Sequence, residues 1–214
     1  MKRLIFASFM ITGLFADVGV QSWDFEDVQL GSLPKGWHSS ATHPKKPMAV
    51  WKVIKSDTPS RKQVLSLTKA NDSFFNGGIF NLCYTKSVDF KDGEIGVKFK
   101  ANSGHTDQGG GIMWRVQDDN NYYVVRFNPL EDNFRFYIVK DGHRHELASA
   151  NVKLSKGWHK MQIVQNGDNF KASLDGKKLL SFTDNQLPQS GGVGVWTKSD
   201  AATSFDDFSV KVVR

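Results

Sequence analysis

The sequence predicts an all-β protein, a two-sheet antiparallel β-sandwich. From residue 48 onward, short runs rich in Val, Ile, Phe, Tyr and Trp alternate with clusters of Gly, Asn, Asp and Ser, as strands alternate with turns. Four Asp-Gly or Asn-Gly pairs lie between apolar runs, which is a strong local signal for hairpin turns. They begin at Asp92, Asp141, Asn166 and Asp175. The four turns imply consecutive antiparallel pairing of strands, and no stretch keeps a helical period over three turns.

The strands expected after residue 48 are 49–54, 63–68, 78–84, 94–100, 110–117, 121–128, 133–140, 158–165, 169–174, 178–182, 191–197 and 204–213. Residues 29–47, which include three prolines and several lysines, are expected to form a long loop. An acidic first strand around residues 23–27 is expected to pair with the acidic last strand around residues 205–208. The termini would thus close the sandwich.

The N-terminus has the pattern of an export signal. Lys2 and Arg3 precede an apolar run over residues 4–15, and Ala16 offers a small residue for cleavage. We therefore expect a signal peptide over residues 1–16 and one domain over 17–214, in a periplasmic or secreted protein. Retention as an anchor stays open because Leu14 is large for a cleavage site. The apolar run is too short to span a bilayer comfortably, and no membrane span is expected in the mature chain.

Charge and cysteine content exclude some classes. Removing residues 1–16 leaves 26 basic and 22 acidic residues, a net charge of +4. These residues are scattered, which argues against nucleic-acid binding and leaves acidic glycans as compatible partners. Cys83 is the single cysteine, so no intramolecular disulfide can form, and we expect a small buried hydrophobic residue there.

Several segments carry a family resemblance: residues 109–133, 141–142, 157–159, 174–176 and 194–198, with the terminal Phe-Asp-Asp at 205–207. The most distinctive, residues 109–133, reads GGGIMWRVQDDNNYYVVRFNPLEDN. Together they resemble the concanavalin A-like lectin and glucanase superfamily. Within it, laminin G-like jelly rolls and 3-keto-disaccharide hydrolase-like domains, often labelled family-sixteen glycoside hydrolase-like, are the most similar. The resemblance covers about residues 22–213 and implies a jelly roll whose concave face typically binds carbohydrate.

Strand alternation gives a candidate carbohydrate-binding set. Alternation permits only one of Trp114 and Arg115 on the outward face. With Arg115, the set is Arg115, Tyr122, Arg126, Arg135, Trp196 and Lys198. Aromatic faces stack on sugar rings, and arginine forks bind hydroxyl or carboxylate oxygens. The open alternative is that the tryptophans belong to the core and the arginines are solvated or paired.

Catalytic motifs are weak. The Glu-x-Asp-x-x-Glu pattern of family-sixteen glycosidases is absent from the sequence. Other candidate carboxylates are Asp118, Asp119, Glu131 and Asp132, but each adjoins turn-forming Asn or Pro, so turn capping is favoured. His143 and His145 have a spacing that metal sites use, without an evident third ligand.

The acidic terminal strands suggest a structural calcium ion. If Phe25 and Phe208 face the core, then Asp24, Glu26 and Asp207 face outward together. Hard oxygen ligands brought together in this way suit calcium. The alternative is that they are surface acids with salt-bridge or capping roles.

Three functions remain open from the sequence. The first is an exported, lectin-like, carbohydrate-binding jelly roll that breaks no bond. The second is a carbohydrate-active hydrolase of the 3-keto-disaccharide or glucanase type, with Arg126 stabilising charge. The third is a protein-interaction module at the cell envelope.

Overall fold

A computed structural model describes residues 18–57, 62–70 and 78–213. The expected signal peptide, residues 1–16, lies outside this part of the chain. All regular secondary structure in the described residues is β, and no helix there is long and apolar enough to cross a bilayer. The strands are β1 (Val18–Trp23), β2 (Trp37–Thr42), β3 (Val50–Lys55), β4 (Gln63–Lys69), β5 (Phe80–Phe90), β6 (Asp92–Ser103), β7 (Gly110–Asp118), β8 (Asn121–Asn128), β9 (Asn133–Lys140), β10 (His143–Asn151), β11 (Trp158–Asn166), β12 (Asn169–Leu174), β13 (Lys177–Thr183), β14 (Gly191–Lys198) and β15 (Ala202–Val213).

The strands form two sheets. The first, sheet A, has the order β13-β12-β11-β6-β15-β4-β3, with β1 also paired to β15. The second, sheet B, has the order β10-β9-β8-β7-β14-β5-β2. The pairings described within both sheets are antiparallel. The predicted fold class, a two-sheet antiparallel sandwich, is confirmed.

The main core lies between the sheets and is rich in aromatic rings. Trp114 of β7 meets Phe136 of β9 edge to face at 5.1 Å between ring centroids, and Phe170 stacks on Phe182 at 4.9 Å. Such aromatic pairs add about 1 kcal/mol each beyond the area that they bury. The Trp114 indole N–H donates to Gln165 Oε1 at 2.7 Å, so its one polar atom is satisfied. Trp114 therefore belongs to the core.

A second apolar cluster covers the other face of sheet B. Its members come from five strands: Phe80, Leu82, Tyr84, Met113, Val116, Tyr122, Val124, Tyr137, Val139 and Trp196. The face is strongly concave, as one contact shows. Thr42 Oγ1 of β2 lies 2.8 Å from the Tyr122 hydroxyl of β8, yet these strands are four positions apart, roughly 19 Å on a flat sheet. Sheet twist raises opposite corners toward each other, and here they meet.

Hairpin predictions succeed at three of the four turns. Asp141-Gly142 joins β9 to β10, and Asp175-Gly176 joins β12 to β13, with positive φ at both residues of each pair. Asn166-Gly167 leads from β11 into its partner β12. At Asp92-Gly93 the hairpin prediction is wrong, because β5 lies in sheet B and β6 in sheet A. Asp92 and Gly93 instead begin β6, and the chain crosses between the sheets at Lys91, immediately before them.

Three strands differ from the sequence prediction. β1 ends at Trp23, so the acidic residues 24–27 form a turn beyond the strand, although Trp23 does pair with Phe208. The predicted loop 29–47 contains β2, which pairs with β5 at the edge of sheet B. β10 pairs with β9 at the opposite edge and was not predicted. Both edge strands lack the apolar alternation that marks strands buried on one face.

Candidate functional site

A polar cluster interrupts the apolar surface of the concave face. We define it as Asp107, Arg126, Asn128, Glu131, Asn133 and Lys198. β8 supplies Arg126 and Asn128, and the short β8–β9 connection supplies Glu131. Arg126 Nη2 donates to Glu131 Oε2 at 3.0 Å and to the Tyr137 hydroxyl at 3.1 Å, while Nη1 donates to Asn133 Oδ1. The hairpin thus closes around one buried guanidinium.

The other half of the polar cluster is built on Asp107. This residue is 5% exposed and accepts a hydrogen bond from Asn128 Nδ2 at 2.9 Å. Lys198 Nζ of β14 lies 3.3 Å from Asp107 Oδ2. Asp200 holds the loop in place by accepting backbone N–H groups of residues 105–107. These bonds outweigh burial and lower the pKa of Asp200.

Two carboxyl groups of the polar cluster have pKa values shifted in opposite directions. Burial raises the pKa of Asp107, although the charges of Lys198 and Arg126 oppose the shift. Burial alone would raise the pKa of Glu131 as well, but the Asn133 hydrogen bond and the Arg126 charge outweigh it and lower that pKa. The two carboxyl groups of the cluster therefore have different electrostatic surroundings, dominated by burial at Asp107 and by hydrogen bonds and charge at Glu131.

The polar cluster has a buried base and a more exposed rim. The Arg126 side chain is 3% exposed, whereas Glu131 is 45% exposed. Arg135, at 32% exposure, joins the rim through ion pairs with Glu131 at 3.5 Å and Glu146 at 3.3 Å. Lys198 is 18% exposed. The buried arginine positions groups that solvent can reach.

Tyr122 and Trp196 lie in the floor of the concave face. They are 0% and 1% exposed, so neither presents an open ring to solvent. The Trp196 indole N–H donates to the Tyr122 hydroxyl at 3.2 Å, and that hydroxyl also meets Thr42. This satisfied network packs the floor beneath the polar cluster.

Arg115 lies apart from the other predicted binding residues. Its φ of 48° and the register shift after Trp114 mark a bulge in β7. A bulge re-aims a side chain out of strict alternation. The Arg115 guanidinium instead reaches the carbonyl oxygens of Leu187 at 2.8 Å, Lys91 at 3.1 Å and Gly167 at 3.2 Å. The structure thus corrects the sequence-based placement of Arg115 on the concave face.

The other candidate carboxylates have local partners. Asp118 accepts from Asn120 N and Asn121 Nδ2, as the turn-capping interpretation predicts. Asp119 accepts the Tyr84 hydroxyl at 3.0 Å and the Ser40 hydroxyl. Asp132 lies 3.9 Å from Lys153 Nζ. Among the four sequence candidates, Glu131 is the one within the polar cluster.

The predicted calcium ligands have protein partners of their own. Asp24 Oδ1 accepts from Glu26 N at 3.2 Å, and Glu26 Oε1 accepts from Lys62 N at 3.0 Å. Asp207 lies 2.8 Å from Lys98 Nζ. Phe25 and Phe208 face the core, as expected. Across residues 18–57, 62–70 and 78–213, no group of three or more His, Cys, Asp or Glu side chains is placed to hold a metal. Calcium binding stays an untested prediction.

The histidines and the cysteine occupy positions that the sequence-based structural roles predict. His143 and His145 are exposed on β10. His159 is held between Asp175 Oδ2 at 2.7 Å and the Ser155 carbonyl at 2.8 Å. Cys83 is fully buried, as expected, and burial raises the pKa of its thiol.

Sequence reasoning missed two residues of the concave face. Asp107 lies in a segment whose polar composition marks only a loop. Arg144 lies on β10, and its guanidinium carbon is 4.4 Å from the Tyr137 ring centroid. The His143-x-His145 spacing hinted at a strand, whose alternation would have assigned Arg144 to one face.

Comparison with models of known protein families identifies the family of this chain. Residues 31–211 match the family described as the 3-keto-alpha-glucoside-1,2-lyase-like domain. The chain belongs to this family. The match includes every strand of sheet B and thus the whole concave face of this lyase-like domain. The comparison with curated protein sequences finds no match.

Solved structures similar to this lyase-like domain share its fold at low sequence identity. The carbohydrate-binding module CBM66 of Bacillus subtilis has a TM-score of 0.62 at 19% identity, covering 85% of this chain and 99% of that one. A non-specific endo-beta-1,3(4)-glucanase of family GH16 has a TM-score of 0.63 at 10% identity, covering 92% of each chain. A GH16 protein of Bacteroides ovatus, solved with a glucan product, has a TM-score of 0.61 at 12% identity, covering 91% of this chain and 99% of that one. The concanavalin A-like jelly roll is confirmed.

Proposed function

We propose that this protein is an exported carbohydrate-binding jelly roll that holds a glycan over the polar cluster. The observation that carries the proposal is the partly exposed rim of Glu131, Arg135 and Lys198, with Glu131 paired to buried Arg126 and Lys198 to buried Asp107. Hydrogen-bonding groups that are already fixed lose little freedom on binding, which favours recognition of sugar hydroxyls. Export is part of the proposal because residues 1–16 have a signal-peptide pattern.

Support comes from the family and from the fold. The family is named for a lyase acting on 3-keto-glucosides, and the similar structures include a carbohydrate-binding module and glucanases. In this chain the aromatic residues of the face lie buried in the floor. Binding would therefore use polar contacts at the rim more than stacking on Trp196.

A glycan array and calorimetry with the mature protein, residues 17–214, test the proposal. We expect binding to at least one class of oligosaccharide, weakened roughly tenfold in Glu131→Gln and in Lys198→Met, since each loses a charge-assisted hydrogen bond. Lys140→Met is the matched control because Lys140 is exposed at the end of β9. A flat array, or rim variants that bind like the wild type, would contradict the proposal and favour a protein-interaction role at the cell envelope.

A hydrolase or lyase is the second candidate, and one observation favours it. Asp107 and Glu131 lie in one polar cluster, and their surroundings shift their pKa values in opposite directions, as the surroundings of a general acid and a base do. Incubating the protein with 3-keto-disaccharides and β-glucans tests for cleavage. Turnover that disappears in Asp107→Asn while binding persists would support catalysis. If the protein binds an oligosaccharide and forms no product from it, binding remains the supported function and catalysis is contradicted.

A further inference from the structure

Arg144 lies at one edge of the concave face of sheet B. From the edge strand β10, its guanidinium carbon lies 4.4 Å from the Tyr137 ring centroid on β9 and 5.3 Å from the Phe80 ring centroid on β5. β10 and β5 are five positions apart in sheet B, roughly 24 Å on a flat sheet. The curvature of the sheet thus brings both sides of the face around this guanidinium.

The charge of Arg144 is not balanced by a partner. Arg126 lies 5.7 Å from the same Tyr137 ring, and Arg126 is paired with Glu131 at 3.0 Å. Within the described residues no carboxylate forms an ion pair with Arg144. Its Nη1 atom is buried without a hydrogen-bond partner. Burial lowers the pKa of Arg144 and the charge of Arg126 adds to this effect, whereas Tyr137, Asp107 and Glu131 oppose it. A guanidinium in this position would gain from an added anionic acceptor.

Three carboxylates on this side of the concave face each have another cation as ion-pair partner. Glu131 pairs with Arg126, Glu146 with Arg135 and Asp107 with Lys198. The planar fork of arginine binds a carboxylate through two parallel hydrogen bonds, and its face can stay on an aromatic ring.

We infer that Arg144 receives the carboxylate of a uronic acid residue in the bound glycan. This inference rests on the proposed carbohydrate-binding function and names the sugar class that the site prefers. The aromatic contacts with Tyr137 and Phe80 hold the guanidinium in place before the ligand arrives. The rim residues Glu131 and Lys198 then contact neighbouring hydroxyls.

Calorimetry with matched oligosaccharides tests the inference. Each pair has the same linkage and length and differs only at C6, as in tri-galacturonate and the corresponding α-1,4-galactotriose. We expect the uronate to bind roughly tenfold more tightly at low salt, because a charge-assisted fork is added. This preference should shrink in about 0.5 M salt, where charges are screened.

Variants separate charge from geometry. Arg144→Met should abolish the preference, and Arg144→Lys should retain only part of it because an ammonium cannot form the fork. Lys140→Met should keep it. Arg144→Met should also fold with a melting temperature no lower than that of the wild type, since a buried unpartnered N–H is removed.

The outcomes distinguish the two proposals. Equal binding of uronate and neutral sugar, or a preference that survives in Arg144→Met, overturns the uronate inference and leaves carbohydrate binding standing. No binding of any oligosaccharide overturns the proposed function itself.

Discussion

Arg115 and Arg126 are buried arginines on adjacent strands of sheet B, and their acceptors differ in kind. The Arg115 guanidinium is enclosed by carbonyl oxygens of Lys91, Leu187 and Gly167. The acceptors of Arg126 are the side chains of Glu131, Asn133 and Tyr137. Backbone acceptors tie chain segments together, whereas side-chain acceptors fix groups that retain further bonding capacity. The first arrangement stabilises the fold, and the second builds a site.

The largest expected effect is a loss of stability when Arg115 is replaced, which distinguishes its structural role from the role of Arg126. Arg115→Met should lower the free energy of unfolding by about 3 kcal/mol, because it leaves several buried carbonyl groups without a donor. Glycan affinity of the folded variant should stay unchanged. Urea denaturation and calorimetry measure the two quantities. A loss of stability below about 1 kcal/mol would contradict the structural role of Arg115.

The next largest effect concerns Arg126, whose loss should affect glycan affinity more than the loss of Arg115 does. Arg126→Met should reduce glycan affinity roughly tenfold and stability by about 2 kcal/mol, since Glu131 and Asn133 lose the group that positions them. Partial recovery of affinity in Arg126→Lys would indicate that charge contributes besides the fork. Unchanged affinity in Arg126→Met would remove the polar cluster from the binding account.

A pH series sharpens the comparison within the polar cluster. The folded-state pKa of Asp107 is raised above 3.8, so its favourable contribution is present below that pH and is lost as pH rises through the folded pKa. The pKa of Glu131 is lowered below 4.5, so its contribution is present above that pH and is lost as pH falls through the folded pKa.

Two variants should therefore change the pH profile in opposite senses. Asp107→Asn should gain stability relative to the wild type as pH rises from acid to neutral. Glu131→Gln should lose stability relative to the wild type over the same range. Unfolding free energies at matched pH values measure both, and curves parallel to the wild type would contradict the shifted pKa values.

The smallest effects belong to the acidic residues of the first and last segments, Asp24 and Glu26 after β1 and Asp207 in β15. Lys98→Met should cost about 0.5 kcal/mol, because the Lys98–Asp207 pair is partly exposed. Melting temperatures with and without EDTA test the calcium prediction in the same region. A lower melting temperature with chelator would support Asp24, Glu26 and Asp207 as ligands, and an unchanged one would contradict it.

The fold could be predicted from the sequence because alternation and turn chemistry repeat along the chain. The Asp141 and Asp175 turns have the positive φ values that their Asp-Gly pairs favour. The prediction of strand pairing failed where the local sequence pattern and the tertiary contacts disagree. Asp92-Gly93 has the composition of a hairpin turn, but the chain crosses between sheets immediately before it, at Lys91.

The candidate site was harder to predict than the fold. Alternation correctly placed Tyr122, Arg126 and Trp196 on one face, but it could not show that Tyr122 and Trp196 are buried by curvature. The bulge at Arg115 shifted the alternation within one strand. Asp107 joins the site through contacts between distant segments, which no local pattern encodes, whereas strand alternation around His143 and His145 would have placed Arg144 on one face.

The most direct test of the binding account is an NMR titration of arginine Nε–H signals, assigned with single-residue variants. The account predicts that a bound glycan shifts the Arg135 and Arg144 signals in a saturable manner, while the Arg115 signal stays in place. A glycan that binds but shifts only the Arg115 signal, or none of the three signals, would contradict recognition at the concave face.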